Sequence, residues 1–435
     1  MTQQKSQSWG RYFNYSHKPA ALKNRNDKLP EGEGPILPYG MGRSYGDSCL
    51  NNGGSLVSSR GLRHFIDFNR ETGVIRCEAG VTLAELHEVT VPAGWFVKVT
   101  PGTKFVTIGG AIANDVHGKN HWRAGTFGCH VTRFELLRSN GERLECSAGQ
   151  HPELFQATIG GLGLTGMIVW AEIQLKPIKN PFIDDESFQC PTLDDCIRLF
   201  DESRENYEYR VAWIDCLASG EHLGRSLFTR GNHNQTAANN TKISRQRLSV
   251  PVTFPHGVLN AFTVKSFNAL YYRKLMQPKV SKKVHYDPFH YPLDSIHQWN
   301  RIYGPKGFMQ YQCVVTEEPV AALKELLKLI AASGQASFLS VLKEHGPVKS
   351  PGMLSFPRHG YTLALDFPNK GERTLALMRQ LDRVVKEANG AIYPAKDARM
   401  PEDMFQFSYP QWDAFEQYID PRFESSFWRR VMGRE

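Results

Sequence analysis

At 435 residues the chain exceeds what one hydrophobic core usually organises, so two domains are expected. Its 41% hydrophobic and 22% charged residues are those of a soluble globular protein, and no apolar run approaches the roughly 18 residues of a membrane span. A net charge of +8 comes without an arginine-rich run, a zinc finger or a basic helix interleaved with aromatics. That argues against nucleic acid and for a phosphate-bearing or membrane-surface substrate. The N-terminus, MTQQKSQSWGRYFNYSHKP, lacks the apolar core and small-residue cleavage site of a secretory signal. A cytoplasmic or peripherally membrane-associated location is therefore expected. The eight cysteines are scattered without a CxxC pair, which favours reduced thiols over a zinc site or redox dithiol.

In chain order, residues 1–35 read as an irregular lead-in, and 36–54, ILPYGMGRSYGDSCLNNGG, is too rich in Gly and Asn for a helix. SLVSS, HFIDFN and GVIRCEAG read as strands. TLAELHEVTVPAG predicts a short helix capped by Thr82, with Glu85 at the capping-box spacing. FVKVTPGT reads as strand then turn, and HVTRFELLRSNGERLEC as a hairpin turning at Asn140-Gly141. PELFQATIG predicts a helix and LTGMIVWAEIQLKPI a long strand. At 177–181, PIKNP, the texture changes. Residues 179–390 alternate strand-like runs (YRVAWIDCL, FMQYQCVV, ASFLSVLKE, YTLALDFP) with two amphipathic helices, EPVAALKELLKLIAASG and GERTLALMRQLDRVVKEANG. This predicts an open sheet with helices packed on one face. The polar run 230–247 is expected to be a mobile loop, and 274–283 a similar one. The expected architecture is α+β, with a first domain over 1–178, a second over 179–390, and a segment 391–435 returning to the first.

The strongest chemical signal is 100–123, TPGTKFVTIGGAIANDVHGKNHWR. Pro101-Gly102-Thr103 is a tight turn that lets backbone approach a ligand. Gly109-Gly110 is expected to point N–H groups at an anion, with a helix N-terminus behind them, and His117 to His121 form a polar loop. The stretch reads as a cradle for a phosphate-bearing cofactor. Three other patterns occur. The GxGxxG at Gly161, Gly163 and Gly166 follows a helix and precedes a strand, the reverse of the dinucleotide fingerprint. The GxSxG at Gly42, Ser44 and Gly46 runs into DSCLNNGGS, which cannot supply the helix of a nucleophile elbow; a hydrolase using Ser44 is the alternative from another class. His117 and His121 have the spacing of metal ligands, but Gly118 and Asn120 disfavour a helix and no metal is expected. From the residues alone Lys396, in YPAKDAR, reads as a surface lysine. Lys343, Gln310 and Gln312 read as strand residues that either face solvent or line a pocket.

Taken in order, GRSYGD, TPGT, VTIGGAIAND, HGKNH, ELFQATIGGLGLTG, WNRIYGPKGFMQYQ, FLSVLK and YPAKDAR resemble one family from Leu37 to the C-terminus. It is the decaprenylphosphoryl-β-D-ribose 2′-oxidase family, flavoenzymes with the vanillyl-alcohol-oxidase (PCMH-type) fold. The resemblance implies a two-subdomain FAD-binding domain and an α+β substrate domain whose antiparallel sheet is covered by helices. FAD would be held noncovalently, because the first loop, GMGRSYGD, lacks the histidine that some related enzymes bond to the flavin. Carried over by position, Gly40, Gly42, Arg43, Ser44, Tyr45 and Gly46 would form the first cofactor loop. Gly102, Thr103, Thr107, Gly109, Gly110, Asn114, His117 and Gly118 would form the second, with Ile168, Tyr393 and Lys396 adding contacts. Lys396 would neutralise charge on the reduced ring or help deprotonate the substrate hydroxyl, and His117, Tyr45, Gln312 and Lys343 would complete the catalytic set. Lys119, Trp213, Tyr272, Gln310, Thr362 and Ala364 would line the substrate pocket. Mycobacterial members carry a cysteine where Ala364 stands and an asparagine where Thr362 stands, so the pocket rim differs.

The implied reaction oxidises the ribose 2′-hydroxyl of a polyprenyl-phosphate sugar to a ketone. A separate NAD(P)H-dependent reductase would then give the arabinose epimer for cell-envelope polysaccharide. A soluble aldonolactone or sugar-alcohol oxidase of the same fold is the alternative.

Overall fold

The computed structural model describes residues 7–236, 248–255, 257–335 and 337–434. An antiparallel sheet takes the strands Phe65–Asn69, Val74–Glu78, Met167–Pro177, Val131–Leu137 and Arg143–Ser147 in that spatial order, and Trp95–Val97 pairs with the far end of Met167–Pro177. A separate parallel trio is made of Lys18–Ala21, Ser55–Ser58 and Ile36–Tyr39. The lead-in is therefore not wholly irregular. Lys18–Ala21 is a largely exposed edge strand that contributes backbone hydrogen bonds but no buried stripe, so no hydrophobic alternation marks it. The expected capping box forms: Thr82 Oγ1 accepts from Glu85 N at 3.2 Å, and Glu85 Oε2 accepts from Thr82 N at 2.7 Å.

The other sheet is antiparallel throughout and eight-stranded. Its order is Lys279–His285, Phe182–Cys190, Ser226–His233, Tyr209–Ile214, Ser340–His345, Gly360–Pro368, Phe308–Val315, Ala391–Ile392. Two expectations are corrected here. The segment 274–283 is not a loop throughout: from Lys279 it is the edge strand, and its outward lysines mask the strand pattern. The return to the first domain does not begin at Ala391, because Ala391 and Ile392 still pair with Val314 and Cys313. Of the polar run 230–247, Arg230 to His233 complete a strand, and 237–247 lie outside the described residues.

The period-2 pleat of this sheet creates the site. Met309, Tyr311, Cys313, Leu342, Leu363, Leu365 and Phe367 point to one face, where they form a core with the helices Leu193–Ser203, Pro319–Ser333 and Glu372–Glu387. The intervening residues Gln310, Gln312, Val341, Lys343 and Ala364 project from the opposite face into a cavity. Polar residues on apolar strands thus mark the uncovered face.

A histidine-rich core joins the two sheet systems. His87 stacks on Phe96 with ring centroids 4.5 Å apart and bonds Tyr291 OH at 2.7 Å, and His233 meets Phe96 edge-on. Burial pushes both His87 and His233 down to about 3. The folded state therefore holds them neutral, and their contribution is complete above the ordinary value near 6.5 and lost as pH falls towards 3. Each should remove about 1.4 kcal/mol of stability per pH unit in that window. Denaturant unfolding between pH 6 and 4 should show this slope, and His87→Phe should flatten it; an unchanged slope in that variant would refute the assignment.

Candidate active site

The cavity measures about 860 Å³ and is walled by both sheet systems. Its first wall is the loop after Ile36–Tyr39. Gly42 there has φ +60, which only glycine adopts without strain. Among the described residues, the backbone N–H groups of Gly40, Met41, Gly42 and Arg43 have no acceptor, while that of Ser44 is turned to the Cys49 thiol, and all of these residues line the cavity. This is the run of convergent donors that an anion requires. The Arg43 guanidinium lies 4.1 Å from the Trp9 ring centroid, and Trp9 N donates to Ser44 O at 2.8 Å. Trp9 lines the cavity from the lead-in, where no motif announced it.

The second wall revises the expected role of the glycine pair. Thr107 caps the helix Ile108–Ala113, its Oγ1 accepting from Gly110 N at 3.1 Å. Ile108 N donates to Val81 O and Gly109 N to Ala79 O, both at 2.8 Å. These N–H groups are therefore already taken, and Gly109 allows close packing against Ala79. A Cβ on Gly40 would come within 2.5 Å of Thr107 Oγ1. Gly102, by contrast, faces open space, with nothing within 4 Å of a Cβ there.

Asp115 fixes the loop that carries His117. It is fully buried at φ +39; its Oδ1 accepts from Gly128 N at 2.9 Å and its Oδ2 from the Ser350 and Ser355 hydroxyls. The sequence does not mark this role, because an aspartate inside AIANDVHG looks like an ordinary turn residue. Asp115→Ala leaves three donors without an acceptor, so a loss on the order of 3 kcal/mol is expected in denaturant unfolding. Asp115→Asn should lose much less.

At the far end, three elements distant in sequence converge. Gln312 Nε2 donates to His117 Nε2 at 2.9 Å and to Thr362 Oγ1 at 3.2 Å. With Nε2 accepting, the His117 proton sits on Nδ1, which has no partner among the described residues. Burial holds His117 well below its ordinary value, so it is neutral. The Lys396 ammonium lies 3.9 Å from the Tyr45 ring centroid, and Tyr45 N donates to Ala395 O at 2.9 Å. Behind it, fully buried Asp366 accepts from Gln310 Nε2 and interacts electrostatically with Lys396. Burial raises Asp366 and lowers Lys396, and their mutual attraction opposes both shifts. Burial also takes Lys343 down to about 8 and Lys119 down to about 7, the latter bonded to His290 O at 3.0 Å.

Most of the residues expected from the resemblance line this cavity, including Ser44, Thr103, Asn114, Gly118, Ile168, Trp213 and Tyr393. Three do not. Tyr272 faces away, under Arg225, and its neighbour Tyr271 lines the wall against Trp213. Thr362 lies beneath Gln312 and holds its amide. Gly46 is a packing glycine, with Asp397 O only 1.6 Å from where a Cβ would stand. Ser44 is followed by turns rather than a helix, so the nucleophile elbow is absent there.

The unpaired N–H run, the open approach at Gly102, the buried lysines and the volume fit a large phosphate-bearing aromatic cofactor. Residues 26–147 match the family described as FAD binding domain, and the protein is a flavoprotein. It is 38% identical over 416 residues to the decaprenylphosphoryl-beta-D-ribose oxidase of Mycolicibacterium smegmatis, covering 92% of this chain and 90% of that protein. An uncharacterized Streptomyces coelicolor protein is 32% identical over 371 residues, 81% of this chain and 100% of its own length. The L-gulonolactone oxidase of Bos taurus is 29% identical over 182 residues, 41% of this chain and 40% of its own. The chain belongs to the decaprenylphosphoryl-β-D-ribose oxidase family.

Proposed function

We propose that this flavoprotein oxidises the 2′-hydroxyl of a polyprenylphosphoryl-β-D-ribose to the 2-keto sugar. The observation that supports it best is the convergence of Lys396, Lys343, His117 and Gln312 at one end of the FAD-domain cavity. Membership of the oxidase family supplies the substrate class. On this reading the loop 40–44 holds phosphate oxygens, and the sheet built from 182–392 is the substrate domain. FAD, when bound, supplies the two-electron redox chemistry. Lys396, with its proton affinity lowered by burial, accepts the hydroxyl proton. Gln312 and neutral His117 orient the sugar, and Lys343 supplies positive charge beside it. A ketone at that position is the substrate of a separate NAD(P)H-dependent reductase, the expected partner activity.

Two experiments test this. Because no histidine stands in the first loop, acid precipitation should release all FAD to the supernatant; a yellow pellet would contradict noncovalent binding. Borodeuteride quenching after turnover of farnesylphosphoryl-β-D-ribose should place deuterium at C2 in both ribo and arabino epimers. No deuterium, with L-gulonolactone turned over instead, would assign the protein to the aldonolactone oxidases, one of which it partly resembles.

A further inference from the structure

Seven of the eight large apolar side chains that the described residues expose fall between Leu248 and Met276. The helix Ala261–Tyr272 is the centre of this patch. It buries only Val264 and Asn268, one helical turn apart, and turns Phe262 (79% exposed) and Leu270 (73%) outward, with Met276 (93%) just beyond its end. Scattered exposed apolar residues need no explanation, but a contiguous set on one segment does.

The charge of the same region is equally one-sided. Residues 222–286 hold eleven lysines and arginines and no aspartate or glutamate, in a chain whose net charge is +8, so the remainder is net acidic. Lys279 and Lys282 are paired with Glu186 and Asp185 across the edge strand. Lys265, Arg273 and Lys283 are exposed and have no acidic partner among the described residues. The position of the helix matters as much as its composition. Phe267, 42% exposed, also lines the cavity, as do Tyr271 and Lys274, so the helix stands at the cavity rim.

We propose that the helix Ala261–Tyr272 and its flanks dock the enzyme on an anionic phospholipid bilayer, with the cavity rim at the membrane surface. Apolar side chains that protrude among cations suit the headgroup boundary, where rings and aliphatic chains enter the acyl region and lysines meet lipid phosphates. The docking gives the lipid-phosphate reading its route: a polyprenyl tail stays in the bilayer while its sugar enters the cavity. It rests on that reading for its purpose only.

The test uses FAD-loaded enzyme and sedimentation with vesicles of phosphatidylcholine alone or with about one quarter phosphatidylglycerol. Wild type should partition onto the anionic vesicles at least about tenfold better than onto neutral ones, and less well as salt rises. Phe262→Asp/Leu270→Asp should lower this partition at least about tenfold. Its turnover of a short-chain, water-soluble polyprenylphosphoryl ribose should be unchanged, and turnover of a long-chain one embedded in vesicles should fall. Equal partition of variant and wild type, or no affinity of wild type for anionic vesicles, would overturn the proposal. So would a variant that merely turns a dimer into a monomer, because the face would then cover a second copy. Vesicle binding without sugar oxidation would remove the functional reading and leave the docking standing.

Discussion

Lys396→Ala keeps its FAD and loses about 10²- to 10⁴-fold in kcat, the range for removal of a positioned proton acceptor. The lysine stands against the Tyr45 ring, within electrostatic reach of the Asp366 carboxyl and on backbone anchored through Ala395 and Tyr393, so its removal leaves the loop 40–44 intact. Lys396→Arg should not restore turnover, because a guanidinium does not give up its proton. The pH profile carries the same signature. A neutral amine is the acceptor, so wild-type kcat should rise as pH increases through the folded pKa of Lys396, which burial sets below the ordinary lysine value. Full activity in the alanine variant would remove Lys396 from the mechanism, and rescue by arginine would reduce it to a fixed charge.

The second large effect is structural. Gly46→Ala should cost more than about 3 kcal/mol and release the cofactor, because the added methyl would meet backbone rather than a side chain that can swing away. Asp397 O stands 1.6 Å from the Cβ position and Ala398 Cα 3.0 Å. That contact is locked from behind: Arg430 pairs with Asp47 at 2.7 Å and Asp397 at 2.9 Å, tying the first loop to the C-terminal segment. Gly149→Ala, at a position with open space and no positive φ, is the control and should lie within about 0.5 kcal/mol of wild type. Thermal unfolding with and without added FAD measures both, and a wild-type midpoint for Gly46→Ala would show that the loop and the C-terminal segment can separate.

Much of the fold was legible because its signals are local. The strand Phe308–Val315 was readable from FMQYQCVV, and the helix cap at Thr82 from Glu85 three residues on. Elements held by backbone pairing alone, such as Lys18–Ala21, and edge strands loaded with lysine, such as Lys279–His285, carry no such pattern. The site divides along the same line. Glycine motifs pointed to the cavity, but only the folded chain shows which N–H groups are free: among the described residues those of 40–43 are, and those of Gly109 and Gly110 are not. Lys396 had no physical signal of its own and was reached only through the resemblance carried by YPAKDAR, since the cavity wall it shares with Tyr45 and Gln310 is assembled from residues some 350 positions apart. Tyr271 and Tyr272 differ by one residue, and the helix phase that separates wall from outside is set by how Val264 and Asn268 are buried. The roles of Asp115, Asp366 and Trp9 have no local mark because each acts through a partner distant along the chain.

The most direct measurement is the visible spectrum of the FAD-loaded enzyme during anaerobic titration with farnesylphosphoryl-β-D-ribose. The account predicts stoichiometric bleaching of the flavin with this lipid-phosphate sugar and none with soluble aldonolactones. An oxidised spectrum that persists with the sugar, or bleaching by lactones alone, would contradict it.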